Sequence, residues 1–410
     1  MFGVADKKYN DMDKLFKLQN RLLDRTPMQI VRECAKNINW NTQLLSIRGP
    51  KGVGKTTIIL QHIRSTFPKG DRSYLYCKLD SGYFANHTLS ELVEQFTMEG
   101  GKYLFLDEVH KYENWSTEIK DIYDYYPDLQ VVISGSSLLS LMEGDVDLSR
   151  RCVSHDIQGL SFREYLQFYK NIRLPEYDLD YILQNVGEIC SEVNTLCKPV
   201  AAFHEYLKVG YYPYYQHNTI DYYDIIEQVV NYVIDEEMPR ICKVELSNTR
   251  KIKALLYVLA QSEPFEVDMN RLSVQSGLRR ETILNYFQYL QKAKLINLIY
   301  SDLKNVKKLQ KPDKIFVADP NMLQALTTTP VKAGTIRETF AVNQLSVRHQ
   351  VEYGRNKGDF LVNGKYTFEV GGEDKDYTQI ANIPDSYILA DNMEYASGHK
   401  IPLWMIGLLY

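Results

Sequence analysis

The run Ser46-Ile-Arg-Gly49-Pro-Lys-Gly-Val-Gly54-Lys55-Thr56-Thr57 has the spacing G-x-x-x-x-G-K-[ST]. Gly49 and Gly54 allow backbone conformations and close approaches denied to other residues, so successive N–H groups can face one anion. The candidate phosphate cradle is Gly49, Pro50, Lys51, Gly52, Val53, Gly54, Lys55, Thr56 and Thr57. A helical pattern from Ile58 to Thr66 follows directly and adds its N-terminal dipole to the same anion. Lys55 would reach the β and γ phosphates, and the Thr56 hydroxyl would hold Mg²⁺. These are the groups that a site for ATP and Mg²⁺ requires. The alternative is a glycine-rich strand-to-helix turn that merely carries Lys and Thr, and the strand before it and helix after it weigh against that.

A second run, Lys102-Tyr-Leu-Phe-Leu-Asp107-Glu108, is an apolar strand ending in two carboxylates. Both would project at the carboxyl edge of a sheet, where ligands bind in open α/β folds. Asp107 is the candidate Mg²⁺ ligand beside Thr56, and Glu108 the group that polarises the attacking water. Alone, such a run reads equally well as a strand end with solvated acids. Its pairing with the loop at Gly49 favours the catalytic reading. A third strand, Leu129-Gln-Val-Val-Ile-Ser134-Gly-Ser136-Ser137, ends in hydroxyls. Ser134 and Ser136 are candidate sensors of the γ-phosphate, or alternatively caps of a following helix.

These residues need a scaffold. Short apolar runs at Leu44–Ile47, Tyr74–Leu79, Tyr103–Leu106 and Val131–Ile133 alternate with amphipathic helical patterns, the texture of a parallel sheet with crossover helices. From about Leu160 to Cys242 the periodicity is helical, broken at Gly210-Tyr-Tyr-Pro213. Farther on, strands are expected at Gly358–Val362, Tyr366–Val370, Tyr387–Leu389 and Leu403–Tyr410. At 410 residues the chain is too long for one ordinary core. The expected division is 1–158 for the nucleotide core, 159–245 for a helical subdomain, 246–312 for a helix-turn-helix module and 313–410 for a small α/β domain.

Composition excludes other classes. Hydrophobic residues at 44% rule out a mainly disordered chain, and a net charge of −4 argues against a surface coated by nucleic acid or lipid. Six scattered cysteines with no CxxC pair read as reduced thiols. No stretch approaches the ~18 uncharged apolar residues of a membrane span. A cytoplasmic protein with no membrane partner is expected.

Tyr103-Leu-Phe-Leu-Asp-Glu-Val-His-Lys-Tyr-Glu-Asn-Trp115, Val132-Ile-Ser-Gly-Ser-Ser137 and Gly159-Leu-Ser-Phe-Arg-Glu-Tyr-Leu166, together with Gly210-Tyr-Tyr-Pro213, Lys314-Ile-Phe-Val-Ala-Asp-Pro320 and Glu338-Thr-Phe, carry a family resemblance. The chain resembles prokaryotic AAA-superfamily ATPases with a C-terminal DUF4143-type domain. The resemblance implies an α/β P-loop NTPase core with a parallel sheet, followed by a helical subdomain, a winged helix-turn-helix and a small C-terminal α/β nuclease-like domain. It implies a switch or motor driven by Mg-ATP, with homo-oligomers as a candidate state. Where the family has Gly-Arg before Leu-Ser-Phe, this chain has Ser149-Arg150-Arg151. Arg151 aligns best and is the candidate arginine finger for a neighbouring subunit, the alternative being a surface arginine.

Asp268 to Leu290 reads as helix, Gly277 turn, helix, and Leu295–Ile299 as a first wing strand, which resembles a winged helix. From Asn270 to Lys311 stand nine Lys or Arg (Arg271, Arg279, Arg280, Lys292, Lys294, Lys304, Lys307, Lys308, Lys311) against Glu281 and Asp302, a net +7. A DNA contact through this block and a protein-packing role are both open readings. Finally, Glu338, Asp359 and Glu369 resemble in spacing the PD-(D/E)xK nuclease core, whose carboxylates hold Mg²⁺ and whose lysine follows the Glu by two residues. That position is Gly371, and Lys375 would serve only if its loop folds back. The readings that follow are an ATP-hydrolysing switch, an ATP-controlled DNA-binding regulator, and an ATP-gated Mg²⁺-dependent nuclease, with a degenerate nuclease fold kept for binding or assembly favoured over an active one.

Overall fold

A computed structural model of the chain describes residues 2–138, 148–217, 220–262, 267–301, 310–355 and 357–410. They form two units that divide between Gln158 and Gly159. In the first, β1 (Leu44–Arg48), β2 (Tyr74–Lys78), β3 (Tyr103–Asp107), β4 (Gln130–Gly135) and β5 (Val153–Asp156) make one sheet in the order β2-β3-β4-β1-β5. Every pairing is parallel. Parallel neighbours need crossovers, which run through α2 (Lys55–Thr66), α3 (Leu89–Met98) and α4 (Trp115–Tyr125), while α1 (Phe2–Arg25) lies along β2.

Strands β1 to β4 are nearly continuous buried runs because helices cover the sheet. Leu75, Leu104, Leu106, Val131 and Ile133 pack with Leu92, Phe96, Trp115 and Ile119 of the helices in one buried cluster. Each such side chain contributes roughly 1.5–3 kcal/mol on burial. Helix α3 starts at a capping box, with Thr88 and Glu91 each satisfying the other's backbone N–H. Strand β5 was not foreseen. It is a partly exposed edge of Val-Ser-His-Asp and lacks the apolar run by which a central strand is recognised. Because β4 is inserted between β1 and β3, the loop after β1 and the acids after β3 stand about two strand spacings apart, near 10 Å. That gap is what Ser134 fills.

The second unit opens with α5 (Phe162–Lys170), α6 (Leu179–Gln184), α7 (Val186–Leu196), α8 (Pro199–Val209), α9 (Tyr222–Tyr232) and α10 (Met238–Cys242). Next come α11 (Leu246–Gln261), α12 (Met269–Ser276), a left-handed turn at Gly277, α13 (Arg280–Lys292) and the antiparallel pair β6 (Ile296–Ile299) and β7 (Lys314–Val317). Strand β7 lies past the module end expected at 312, because its hydrogen bonds go to β6. Lys304, Lys307, Lys308 and Asp302 of the basic block lie outside the described residues. The chain ends with α14 (Pro320–Ala325), α15 (Ala333–Leu345), β8 (Val351–Tyr353), β9 (Phe360–Val362), β10 (Tyr366–Gly371), β11 (Ser386–Ala390) and β12 (Lys400–Pro402), in sheet order β12-β11-β10-β9-β8.

Two expectations change here. Leu403–Tyr410 is not a strand: Leu403–Leu408 forms a buried 3-10 helix, since an unbroken apolar run marks burial without fixing the period. The stretches 159–245 and 313–410 also share a core. Phe162 and Phe203 of the helical stretch pack with Phe340 and Trp404 of the C-terminal one. Aromatic side chains supplied by distant segments leave these stretches no separate interiors.

Candidate functional site

The phosphate loop joins β1 to α2. Gly52 and Gly54 have φ of 92° and 97°, a region that favours glycine. A Cβ on Gly49 would come within 2.3 Å of the Ile157 carbonyl oxygen. The loop therefore holds one shape, and its last glycine is the N-cap of α2. Lys55 Nζ donates to the carbonyls of Gly49 at 2.8 Å and Pro50 at 2.9 Å, which keeps the buried ammonium inside the loop's own curve. Buried Arg32 braces the outside by donating to the Val53 carbonyl at 3.0 Å and the Gln158 carbonyl at 2.8 Å.

Asp107 is fully buried at the end of β3 and is surrounded by donors. Its Oδ2 accepts from Thr56 Oγ1 at 2.7 Å and from Tyr76 OH at 2.7 Å. Its Oδ1 accepts from Ser134 Oγ in a close contact and from the Glu108 N–H at 3.1 Å. Four donors on one buried carboxylate fix its orientation. Thr56 and Asp107 thus meet as the sequence predicted. Ser134 also lies on the strand beside Asp107, but its hydroxyl serves the carboxylate. Ser136 Oγ accepts from the Leu138 N–H at 3.4 Å, and the helix it was expected to cap lies outside the described residues.

Glu108 has φ 57° and ψ 40°, left-handed for a residue with a side chain. Strain of this kind, roughly 1–3 kcal/mol, gathers at functional sites. Here it bends the chain out of β3 and turns Glu108 away from the core. The Glu108 carboxylate lies 3.5 Å from Lys111 Nζ and 3.7 Å from His110 Nε2, and the Ser136 N–H points at His110 Nδ1 from 3.4 Å. His110 Nε2 thus faces the Glu108 carboxylate. Arg151, the candidate finger, is gripped by Asp124 of α4, with Nε to Oδ1 at 3.0 Å and Nη2 to Oδ2 at 3.2 Å.

Tyr76 and His110 escaped the sequence reading. Tyr76 pairs in register with Phe105, so its hydroxyl reaches Asp107 two residues farther along β3. Nothing in Tyr-Leu-Tyr-Cys-Lys marks the middle tyrosine, because its role exists only across the sheet. Burial and the Asp107 charge push the Tyr76 phenol far above its ordinary range, so it remains a donor. His110 stood inside the Asp-Glu-Val-His run, where its spacing from Glu108 was the available signal.

In the second unit Glu338, Asp359 and Glu369 come together, with two lysines among them. Lys314 Nζ lies 3.1 Å from Glu338 Oε2 and 3.5 Å from Asp359 Oδ1. Lys375 Nζ lies 2.5 Å from Glu369 Oε1. A Cβ built on Gly371 would fall within 2.7–3.1 Å of the Lys375 Cβ, Cγ and Cδ, so the loop does fold back and Lys375 lies over the position where the nuclease pattern has lysine. The Val370 N–H holds Asp359 Oδ2 at 2.9 Å, while Glu369 Oε2 is buried without a partner. Three acids exceed two ammonium groups. Burial and Asp359 accordingly push Glu338 up to about 6, while Glu338 and Asp359 outweigh burial and hold Lys314 above its ordinary value. A lysine enters the expected metal centre. Lys314 stands between Glu338 and Asp359, and among the described residues no three acidic, His or Cys side chains are grouped to hold a metal ion.

The first unit joins a parallel sheet to a glycine-rich loop of P-loop form at the N-terminus of a helix. Residues 41–166 match the family model of an AAA domain. Residues 200–333 match a domain of unknown function, DUF8612, where the resemblance had implied a DUF4143-type domain. An uncharacterized protein of Methanocaldococcus jannaschii is 26% identical over 293 residues, which are 68% of this chain and 61% of that protein. The match thus spans under two thirds of the relative's length. Among solved structures, a signal transduction ATPase with a tetratricopeptide repeat sensor from Pyrococcus horikoshii gives 14% identity and a TM-score of 0.29 over 79% of this chain and 46% of that one. AMPPCP-bound DnaA from Aquifex aeolicus gives 17% and 0.26 over 64% and 86%. Among the described residues no helix is long and apolar enough to cross a membrane.

Proposed function

We propose that the first unit binds ATP with Mg²⁺ on Gly49–Thr57, hydrolyses it, and uses the cycle as a conformational switch or motor. The observation that carries this is the 2.7 Å hydrogen bond between Thr56 Oγ1 and Asp107 Oδ2, which joins the loop and the acidic strand end across the width of β4. Hard oxygen donors on a buried carboxylate suit Mg²⁺, which would be held by Thr56 and Asp107 and would neutralise charge on the β and γ phosphates. Lys55 exchanges its carbonyl partners for phosphate oxygens. Glu108, oriented by Lys111 and His110, takes the proton of the attacking water. Arg151 serves a neighbouring copy only after leaving Asp124. Lys55→Ala is expected to abolish Mg-ATP binding, and Glu108→Gln to keep binding while phosphate release falls about 10²–10⁴-fold. Normal turnover by Glu108→Gln defeats the hydrolysis reading.

A second reading concerns the other unit. Lys375 over Gly371 supports a nuclease-like site with Glu338, Asp359 and Glu369 as Mg²⁺ ligands, and α12, α13 and the β6–β7 pair support a winged helix that offers DNA its basic block. Lys314 would have to leave Glu338 and Asp359 for these carboxylates to hold a metal ion. Supercoiled and single-stranded DNA incubated with Mg²⁺ or Mn²⁺ tests this against Asp359→Ala, and equal cleavage by both proteins rules it out.

A further inference from the structure

Between α1 and the outer edge of β2 lies a cavity of about 350 Å³ that the nucleotide chemistry leaves unused. That size suits a small ligand. One wall is an apolar stripe of α1 at helical spacing, where Leu15 is buried but Leu18 and Leu22 are 50% and 36% exposed. The rim carries Arg21, Arg25 and Lys78. None of these three cations makes a salt bridge among the described residues. The lining also holds two buried polar groups. Gln19 is only 1% exposed, its Oε1 accepts the Tyr76 N–H at 2.6 Å, and its amide also hydrogen-bonds the Tyr74 side chain. Ser81 Oγ is buried and unbonded. Buried donors are rarely left so unless something else satisfies them.

A basic rim, an apolar wall and one idle donor are complementary to one kind of ligand. We propose that this cavity binds a small amphipathic anion, its apolar body on Leu15, Leu18 and Leu22 and its oxyanion head on Arg21, Arg25 and Lys78, and that its occupancy is transmitted to Asp107 through Tyr76. The head accepts a hydrogen bond from Ser81 Oγ. Tyr76 is the shared wall: it lines the cavity, its backbone N–H is held by Gln19, and its hydroxyl holds Asp107 Oδ2 at 2.7 Å. The transmission rests on the Mg-ATP reading, whereas the cavity does not.

The test uses the full chain with anilinonaphthalene sulfonate, an aromatic body with one anionic head, followed by fluorescence and displaced by decanoate. Saturable binding at one site is expected, competed by decanoate and weakened at least tenfold both by Arg21→Glu with Arg25→Glu and, separately, by Leu18→Glu on the exposed part of the wall. Lys55→Ala is expected to bind the probe as the parent does. Undiminished affinity in folded Leu18→Glu, or loss of the probe in Lys55→Ala, overturns the site. Saturating decanoate is expected to shift the Mg-ATP midpoint at least threefold in the parent and not in Tyr76→Phe, and an unmoved parent midpoint overturns the transmission. A parent that binds probe but no Mg-ATP signals instead that the nucleotide reading has failed.

Discussion

Asp107 shows what a single side chain contributes here. Thr56, Tyr76, Ser134 and the Glu108 N–H all donate to it, so removing one donor weakens its placement without abolishing it. Tyr76→Phe deletes one hydrogen bond to a charged group, and such bonds contribute about 1.5–3 kcal/mol. The expected result is a several-fold higher Mg²⁺ requirement for ATP binding, read by titration, with little change at saturating Mg²⁺. Asp319 is a second residue with a measurable signature. It is fully buried, caps α14 by accepting from the Asn321 and Met322 N–H groups at 2.9 Å, and accepts from Tyr212 OH at 3.0 Å. Burial pushes its carboxyl up to about 6 from an ordinary 3.8. A raised folded value means that the protonated form is favoured on folding, so this contribution is full below about pH 4 and is lost as pH rises through 6. Asp319→Asn is expected to flatten the pH dependence of unfolding between 4 and 6, measured by denaturant melts.

At the scale of elements, the loop and its helix act together. Gly54 holds φ 97° at the start of α2, so Gly54→Ala is expected to lose Mg-ATP binding while the sheet remains folded, checked by circular dichroism beside a binding titration. The β10 loop offers the complementary change. If Lys375 does the work of a lysine at 371, then Lys375→Ala removes any metal-dependent cleavage that the chain shows. For the helix-turn-helix, Arg279→Ala with Arg280→Ala is expected to reduce DNA affinity in gel shifts and to lower the salt slope by about 0.9 for each phosphate that the variant no longer neutralises. A flat salt response in the parent removes the DNA reading.

At the scale of the whole molecule, charge is segregated. The +7 block between Asn270 and Lys311 sits in a chain of −4, so the bland total hides one basic region. Arg151 bears on assembly. Held by Asp124 within its own chain, it reaches a second copy only if that pair opens. Asp124→Asn is expected to increase the mass seen by light scattering in Mg-ATP, and an unchanged mass for parent and variant argues against the finger.

The amino-acid sequence by itself determined what depends on local spacing. The glycines and Lys55-Thr56 of the loop, the apolar run ending in Asp107-Glu108 and the four strands β1 to β4 were all legible, because a phosphate cradle and a buried strand each impose a pattern on consecutive residues. What the tertiary structure alone decided depends on contacts between distant segments. Tyr76 meets Asp107 only because β2 pairs with β3, and Lys375 covers Gly371 only because a loop folds back. Lys314 enters the carboxylate cluster from the end of β7, and Trp404 closes the same core as Phe162. Such pairings are set by register and packing, and no window of sequence contains both partners.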